Sequence, residues 1–222
     1  MNGMDSGIVF TYDAYVNLHT HRMSLERSMT RSRAEMIEAT RAKLLATARQ
    51  AFREAGYAAT SMDDFTAAAG LTRGALYHHF GDKKGLLAAV VEQIDGEMDQ
   101  RLAAIAARAP DAWSALRGRC RAYLEMAAEP EIRRIVLQDA RAVLGAAADS
   151  SQQQCIASLG ALLQTMMDQG VIEQAAPQAI ARLINGSLVE SAFWIAQDSA
   201  DGPRLAQALQ ALDLLLRGLR KS

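Results

Sequence analysis

The residues Gly70-Leu71-Thr72-Arg73-Gly74-Ala75-Leu76-Tyr77-His78-His79-Phe80 combine side-chain types that suit contact with a polyanion. Leu71, Leu76 and Phe80 are spaced to pin a short helix onto its neighbours. Thr72, Arg73, Gly74, Tyr77, His78 and His79 form the remaining face, which is short, polar or basic. A helix needs such a face to enter the roughly 12 Å major groove of duplex DNA. Glycine inside a helix is less favourable than alanine by about 0.8–1.0 kcal/mol. That penalty makes sense at Gly74 if a side chain there would hold the backbone off the DNA. Lys83 and Lys84 open the following helix, where backbone N–H groups and ammonium charge together favour phosphate. The competing reading is a helical hairpin whose polar residues only decorate a surface. The ordered set of cap, glycine turn, apolar pins and lysine pair favours DNA.

Three helices before residue 81 must position this face. The first begins at Arg33, or at Thr40 if that residue is an internal cap. Leu44, Leu45, Ala48, Ala51 and Phe52 give it one apolar stripe, and Gly56 stops it. Ser61 followed by Asp64 resembles a capping box and starts a second helix that buries Phe65, Ala68 and Ala69. Gly70 ends that helix, and Thr72 caps a third that runs through Phe80. Asp82 caps a long fourth helix from Lys83 to about Ala107, broken by Ala109-Pro110-Asp111. A glycine turn between the second and third helices is the helix-turn-helix arrangement. Five further helices are expected at 112–128, 131–144, 151–169, 178–197 and 204–219. Residues 1–30 fit no helical period, and 1–32 read as a flexible extension.

Composition agrees with an all-α chain. Half of the 222 residues are hydrophobic, 5% are aromatic and four are proline, with no runs of alternating β-branched residues. The net charge of −1 is unevenly spread. Residues 31–90 carry nine basic and six acidic side chains, whereas residues 91–222 carry 13 and 16. A basic segment joined to an acidic remainder suits a nucleic-acid module attached to a different kind of domain. Cys120 and Cys155 are too far apart for a zinc motif and read as small core residues, with a redox role as the alternative. No apolar run reaches the roughly 18 residues of a membrane span, and the start lacks a signal-peptide pattern. A cytoplasmic location is expected, without membrane, metal or cofactor.

Catalysis finds no support. All four histidines precede residue 80, so the later helices cannot supply the Glu-x-x-His pairs of a di-iron bundle. Phosphate-loop, Gly-x-Ser-x-Gly and zinc signatures are missing too.

Residues 33–90 resemble the N-terminal domain of the tetracycline-repressor (TetR) family of bacterial one-component regulators. The likeness runs through Ala48-Arg49-Gln50-Ala51-Phe52, Gly56-Tyr57-Ala58-Ala59-Thr60-Ser61 and Ala69 to Phe80, and ends at Lys83. It implies a three-helix DNA-binding domain at 33–86, followed by a helical ligand-binding and dimerisation domain at 87–222. The implied molecule is a homodimer that represses transcription from a double-stranded, (pseudo)palindromic operator until a small-molecule effector binds. An activator, or a regulator working through protein contacts without an inducer, is the alternative. By position, Thr72, Tyr77, His79 and Lys83 would hold phosphates, while Arg73, Gly74 and His78 would face base edges. Ser61 and Met62 would approach the backbone. Arg73 is the candidate for bidentate guanine readout, worth about 1–3 kcal/mol of discrimination. Phe65-Thr66 departs from the family's small aliphatic-alanine pair, and packing is expected to absorb it.

In the second domain Leu205, Leu209, Leu212, Leu216 and Leu219 recur at steps of four and three. Such a stripe buries against a partner helix, in a second subunit or within one. Gly186, Ser187, Ser191 and Ala192 would allow close helix approach. The resemblance places the dimer interface at Gly186, Ser187, Leu205, Leu209, Leu212 and Leu216. Trp113, Leu116, Cys120, Tyr123, Val136, Asp139, Leu159, Leu162, Met166, Asn185 and Trp194 are candidates to line an effector pocket, or simply to fill the core. Asp139 and Glu190 stand in apolar helices, where either could pair with a cationic ligand or with an arginine such as Arg134 or Arg182, the arginine being favoured.

Overall fold

Side-chain oxygens set the helix starts through the first half of the chain. The Ser61 hydroxyl accepts from the Asp64 N–H at 3.3 Å, and Thr72 Oγ1 accepts from Ala75 N–H at 3.2 Å. Asp82 Oδ1 accepts from Gly85 N–H, and Asp111 Oδ1 from Ser114 N–H, both at 2.7 Å. Each satisfies one of the N–H groups that a helix start leaves without a partner. The helices so started are α2 (Met62–Ala68), α3 (Arg73–Phe80), α4 (Lys83–Arg108) and α5 (Ala112–Met126). All four follow the expected order, Ser61, Thr72 and Asp82 cap as expected, and Asp111, expected only as part of the break after α4, caps α5.

This computed structural model describes the backbone of residues 9–145, 149–199 and 202–221, and the side chains of 32–145, 152–199 and 202–221. Residues 1–8 of the expected extension lie outside the described residues. Helix α1 (Val9–Ala59) starts well before the expected Arg33, so the backbone from 9 to 32 is helical despite its lack of apolar period. Thr40 is no start either, since its hydroxyl donates to the Met36 carbonyl at 2.8 Å inside the continuing helix. Gly56, at φ 81°, breaks the helical run where the stop was expected. The residues group into two compact units, 1–44 and 45–222.

In the second unit Leu45, Ala48, Phe52, Phe65, Ala69 and Leu76 of the helix-turn-helix are buried. Helix α2 buries Thr66 rather than the expected Ala68. The α-period groups 62, 65, 66 and 69 on one side, and the Thr66 hydroxyl is satisfied by the Met62 and Asp63 carbonyls at 2.8 and 3.1 Å. Phe65, at 3% exposure, is absorbed in packing as expected. Gly70, at φ 63°, makes the turn to α3. Helix α4 buries Leu86, Leu87, Val90, Ile94, Met98 and Leu102 along one stripe.

The remaining helices are α6 (Arg141–Leu144), α7 (Asp149–Asp168), α8 (Pro177–Ala196) and α9 (Arg204–Arg217). Helix α4 packs on α5, α7 on α8, and α5 on both α7 and α9. The described residues contain no strand. Nor is any helix among them long and apolar enough to cross a membrane.

One expected α-helix differs. Ile132–Ala140 forms a π-helical segment leading into α6. In an α-helix residues five apart diverge by about 140° around the axis. The i→i+5 pattern of a π-helix brings them together. Two such pairs are used. Arg133 Nε and Gln138 Nε2 both donate to the Ala196 carbonyl of α8, at 2.9 and 3.0 Å. Arg134 and Asp139 form an ion pair at 3.6 Å.

Candidate functional site

Helix α3 turns its polar face to solvent. Thr72, Arg73, Gly74, Tyr77 and His78 are exposed, and His79 is half-buried. Leu76 is the fully buried pin, with Leu71 and Phe80 half-buried beside it. Ser61 is exposed and Met62 half-buried at the start of α2. A Cβ added to the exposed Gly74 would meet only Thr72 Oγ1, at 3.7 Å, which is ordinary contact. The protein's own packing therefore gives no reason for the helix-weakening glycine. A surface that must admit another molecule closely does.

Arg73 Nη1 lies 3.1 Å from Asp63 Oδ1, with both groups exposed. Hydrogen bonding to Tyr77, then the charge of Asp63, raises the Arg73 pKa and keeps it cationic. Such a water-exposed pair is weak and exchangeable. Lys83 is less free than the sequence implied. Its Nζ sits 4.4 Å from the centre of the Tyr57 ring, and burial lowers its pKa.

A polar junction ties this head to the rest of the second unit. The Arg49 guanidinium bridges Glu97 of α4, at 2.6 and 2.8 Å, and Glu131 at the entry to the π-helical segment, at 2.7 and 2.9 Å. Hydrogen bonds from Arg49 hold both carboxyls below the usual range. Arg134 Nη2 donates to the Ala55 carbonyl at 3.1 Å, placing a cation at a helix C-terminus, where the peptide dipoles favour it. The Tyr57 N–H donates to Asp139 Oδ2 at 2.7 Å. Asp139 thus has the arginine partner expected of it, together with a backbone contact that no periodicity could reveal.

Between α4, α5, α7 and α8 lies a narrow, partly open cavity lined by Leu102, Arg119, Cys120, Tyr123, Cys155, Leu159, Asn185 and Leu188. Four of the candidate pocket residues meet there: Cys120, Tyr123, Leu159 and Asn185. Leu116 and Met166 are fully buried core, and Val136 and Leu162 are half-buried away from the lining. Trp113 lies under the Arg220 guanidinium at 5.1 Å. Trp194, 39% exposed, lies under that of Arg204 at 5.3 Å. Asp139 is engaged at the junction instead. Leu102, Arg119, Cys155 and Leu188 were missed, because a leucine, an arginine or a single cysteine in an amphipathic helix ordinarily reads as core or rim. The signal for Arg119 was spacing, since it flanks the Leu116-Cys120-Tyr123 stripe. Burial pushes the Cys120 thiol up to about 12 and raises Cys155, which leaves both as poor thiolates.

The candidate interface residues divide. Leu212 and Leu216 are buried within the protomer, and Leu205 and Leu209 are half-buried. Their stripe therefore packs chiefly inside one chain. Gly186 and Ser187 are exposed on α8, and nothing lies within 4 Å of a Cβ added to Gly186. The large apolar side chains that α8 and α9 leave most exposed are Leu183 (72%), Leu214 (57%) and Leu215 (65%).

Two family models match the chain. "Bacterial regulatory proteins, tetR family" covers residues 44–90, and "Tetracyclin repressor-like, C-terminal domain" covers 113–219. The solved structure of a TetR-family transcriptional regulator from Pectobacterium atrosepticum is 64% identical. That match has a TM-score of 0.80 and covers 85% of this chain and 97% of that one. The Transposon Tn10 TetC protein of Escherichia coli is 27% identical over 68% of this chain and 78% of its own length. AibR, solved with isovaleryl coenzyme A and operator DNA, shares the fold at TM-score 0.57 and 22% identity, over 82% of this chain and 98% of its own.

Proposed function

The chain belongs to the TetR family of bacterial helix-turn-helix transcriptional regulators, and from that premise we propose that it is a homodimeric, cytoplasmic repressor released from its operator by a small molecule. The family's members are regulators rather than enzymes, and typically repressors. The observation that carries the DNA-reading role is the exposed Gly74, whose missing side chain is unexplained by packing. Around it, Arg73 and His78 face base edges. Thr72, Tyr77 and His79, with Ser61 and Met62 at the start of α2, hold the sugar-phosphate backbone. Lys83 adds charge to the same side from its place over Tyr57. A two-fold dimer would present two such helices to a palindromic site.

Effector release, rather than regulation through protein contacts alone, is supported by the cavity and by what connects it to the head. Helix α8 carries Asn185 at the cavity and Ala196 at its end. Ala196 receives Arg133 and Gln138 of the π-helical segment, and the same segment grips residues 55–57 through Arg134 and Asp139. Filling the cavity would bias α8 and, through these bonds, the head.

The test is selection and sequencing of the DNA fragments that the purified protein retains, followed by Arg73→Ala. Affinity for the selected site should fall by about 1–3 kcal/mol while non-specific binding changes less. Equal losses on both DNAs would reduce Arg73 to a phosphate contact, and retention of no preferred sequence would sink the proposal.

A further inference from the structure

We infer that Cys120 and Cys155 together hold one soft monovalent cation, copper(I), with Arg119 and Asn185 donating to the two sulfurs; as the identity of the effector, this rests on the reading above. The chain has two cysteines, and α5 and α7 bring both onto the same narrow cavity. Cys155 is near enough to act electrostatically on Cys120, and Arg119 acts on both. Cys120 is 1% exposed and Cys155 half-buried. Two buried nitrogens on the same lining, Arg119 Nε and Asn185 Nδ2, lack a hydrogen-bond partner among the described residues. Asn185 is only 5% exposed. Arg119 Nη2 is already engaged, donating to Ser158 Oγ at 3.0 Å, and that hydroxyl donates to the Cys155 carbonyl at 2.9 Å. The guanidinium is thereby tied to the turn that carries Cys155, with Nε left over.

Size and donor set narrow the occupant. The space has room for about one water molecule, so a single ion fits and a ring or chain does not. Water alone would satisfy the two donors, but it gives no reason for both thiols to stand on the same void. Soft thiolates select copper(I) and zinc, and zinc takes four ligands. Among the described residues no three His, Cys, Asp or Glu side chains group as a metal site, whereas copper(I) is stable between two thiolates. The spacing that argued against a zinc motif leaves this two-coordinate case open. On binding, two S–H bonds break, two copper–sulfur bonds form and two protons pass to solvent. Coordination by the ion thus achieves the deprotonation that burial opposes. The bis-thiolate complex carries one net negative charge, which the Arg119 guanidinium matches. N–H groups of Arg119 and Asn185 donating to the sulfurs stabilise that charge, as outer-shell donors do at metal sites. Asp99 of α4 also acts on Cys155, but its side chain is exposed and its field is weakened by water.

The test titrates the full, reduced chain with copper(I) in the absence of oxygen, in competition with the chelator bicinchoninate, and repeats the titration with zinc(II). The chain should withdraw one copper(I) from the chelator, with two sulfur neighbours in the X-ray absorption spectrum, and should not hold zinc(II). Cys120→Ser and Cys155→Ser should each lose the competition. Arg119→Met and Asn185→Leu keep both thiols and should weaken copper(I) binding by about tenfold or more. The absorption spectrum of the unsubstituted chain decides the ligand set even where a serine variant fails to fold. No withdrawal from the chelator, a coordination shell without two sulfurs, or binding that survives in a folded serine variant overturns the inference and leaves the two donors to water. Retention of the selected DNA by the same preparations separates the two ideas. A chain that holds its DNA but binds no copper(I) loses only the ion. One that binds copper(I) through both sulfurs but retains no preferred DNA loses the regulator reading. Copper(I) that binds and leaves DNA retention unchanged is struck as the effector.

Discussion

Replacing Gly74 with alanine adds a methyl group that meets only the Thr72 hydroxyl, at 3.7 Å, on an exposed helix face. The free protein should therefore gain about 0.5–1 kcal/mol from the better helix former, visible in urea denaturation. Affinity for the selected DNA site should nonetheless fall at least tenfold, since the added carbon stands where the groove must approach. Unchanged affinity would mean that α3 does not come close to DNA at this position. Asp95 offers a second single-residue test. Burial, then the neighbouring Asp99, pushes its carboxyl up to about 6 from an ordinary 3.8. The folded state then binds the extra proton between these values, so the Asp95 contribution to stability falls as pH rises from about 4 to 6 and stays unfavourable above. Asp95→Asn removes the ionisation and should stabilise the protein at pH 7.5 by on the order of 1–2 kcal/mol. The gain over wild type should vanish near pH 4, and a gain independent of pH would assign the effect to something other than the charge.

At the scale of elements, the helix boundaries were legible because their signals are local. Ser61, Thr72 and Asp82 cap where their types and positions suggested. Gly56 and Gly70 turn the chain where a Cβ would be strained. The π-helical segment was not legible, because 131–144 carries an apolar pattern that an α-helix satisfies equally well. Its i,i+5 pairs gain their meaning only from partners distant in sequence, at residues 55–57 and 196. Two buried nitrogens, Arg119 Nε and Asn185 Nδ2, have no hydrogen-bond partner among the described residues, and sequence could not mark them for the same reason. The junction allows the two roles of Asp139 to be separated. Asp139→Ala leaves the Tyr57 N–H without its acceptor and should lose about 1–3 kcal/mol. Asp139→Asn keeps an oxygen for that N–H and gives up only the partly exposed pair with Arg134, worth about 0–1 kcal/mol. Hydrogen exchange at the Tyr57 amide should accelerate in the alanine variant and barely change in the asparagine variant. Equal acceleration in both would make the ion pair, not the backbone bond, the stabilising contact.

For the whole molecule, the proposed homodimer requires a surface that joins two copies. The leucine stripe of α9 had the right period for a partner helix, but period alone does not say whose helix that is. Leu212 and Leu216 go to the protomer's own core, in keeping with the contact of α9 with α5 and α8. What those helices leave outside is Leu183, Leu214 and Leu215, with Gly186 and Ser187 supplying a shallow strip of α8. Large leucines at 57–72% exposure, on helices that already pack together, would form the centre of the proposed self-complementary interface. Substituting glutamate at Leu183 and Leu215 should give a folded monomer by sedimentation equilibrium, with unchanged helical circular dichroism. Glutamate at Leu212 should instead destabilise the protomer by several kcal/mol, because it buries a charge without a partner. The monomeric variant would present a single α3 to DNA, so it should hold half of a palindromic site only weakly and lose most of the affinity for the whole. If the Leu183/Leu215 variant remains dimeric while Leu209→Glu gives monomers, the stripe itself is the interface and Leu212 serves both cores.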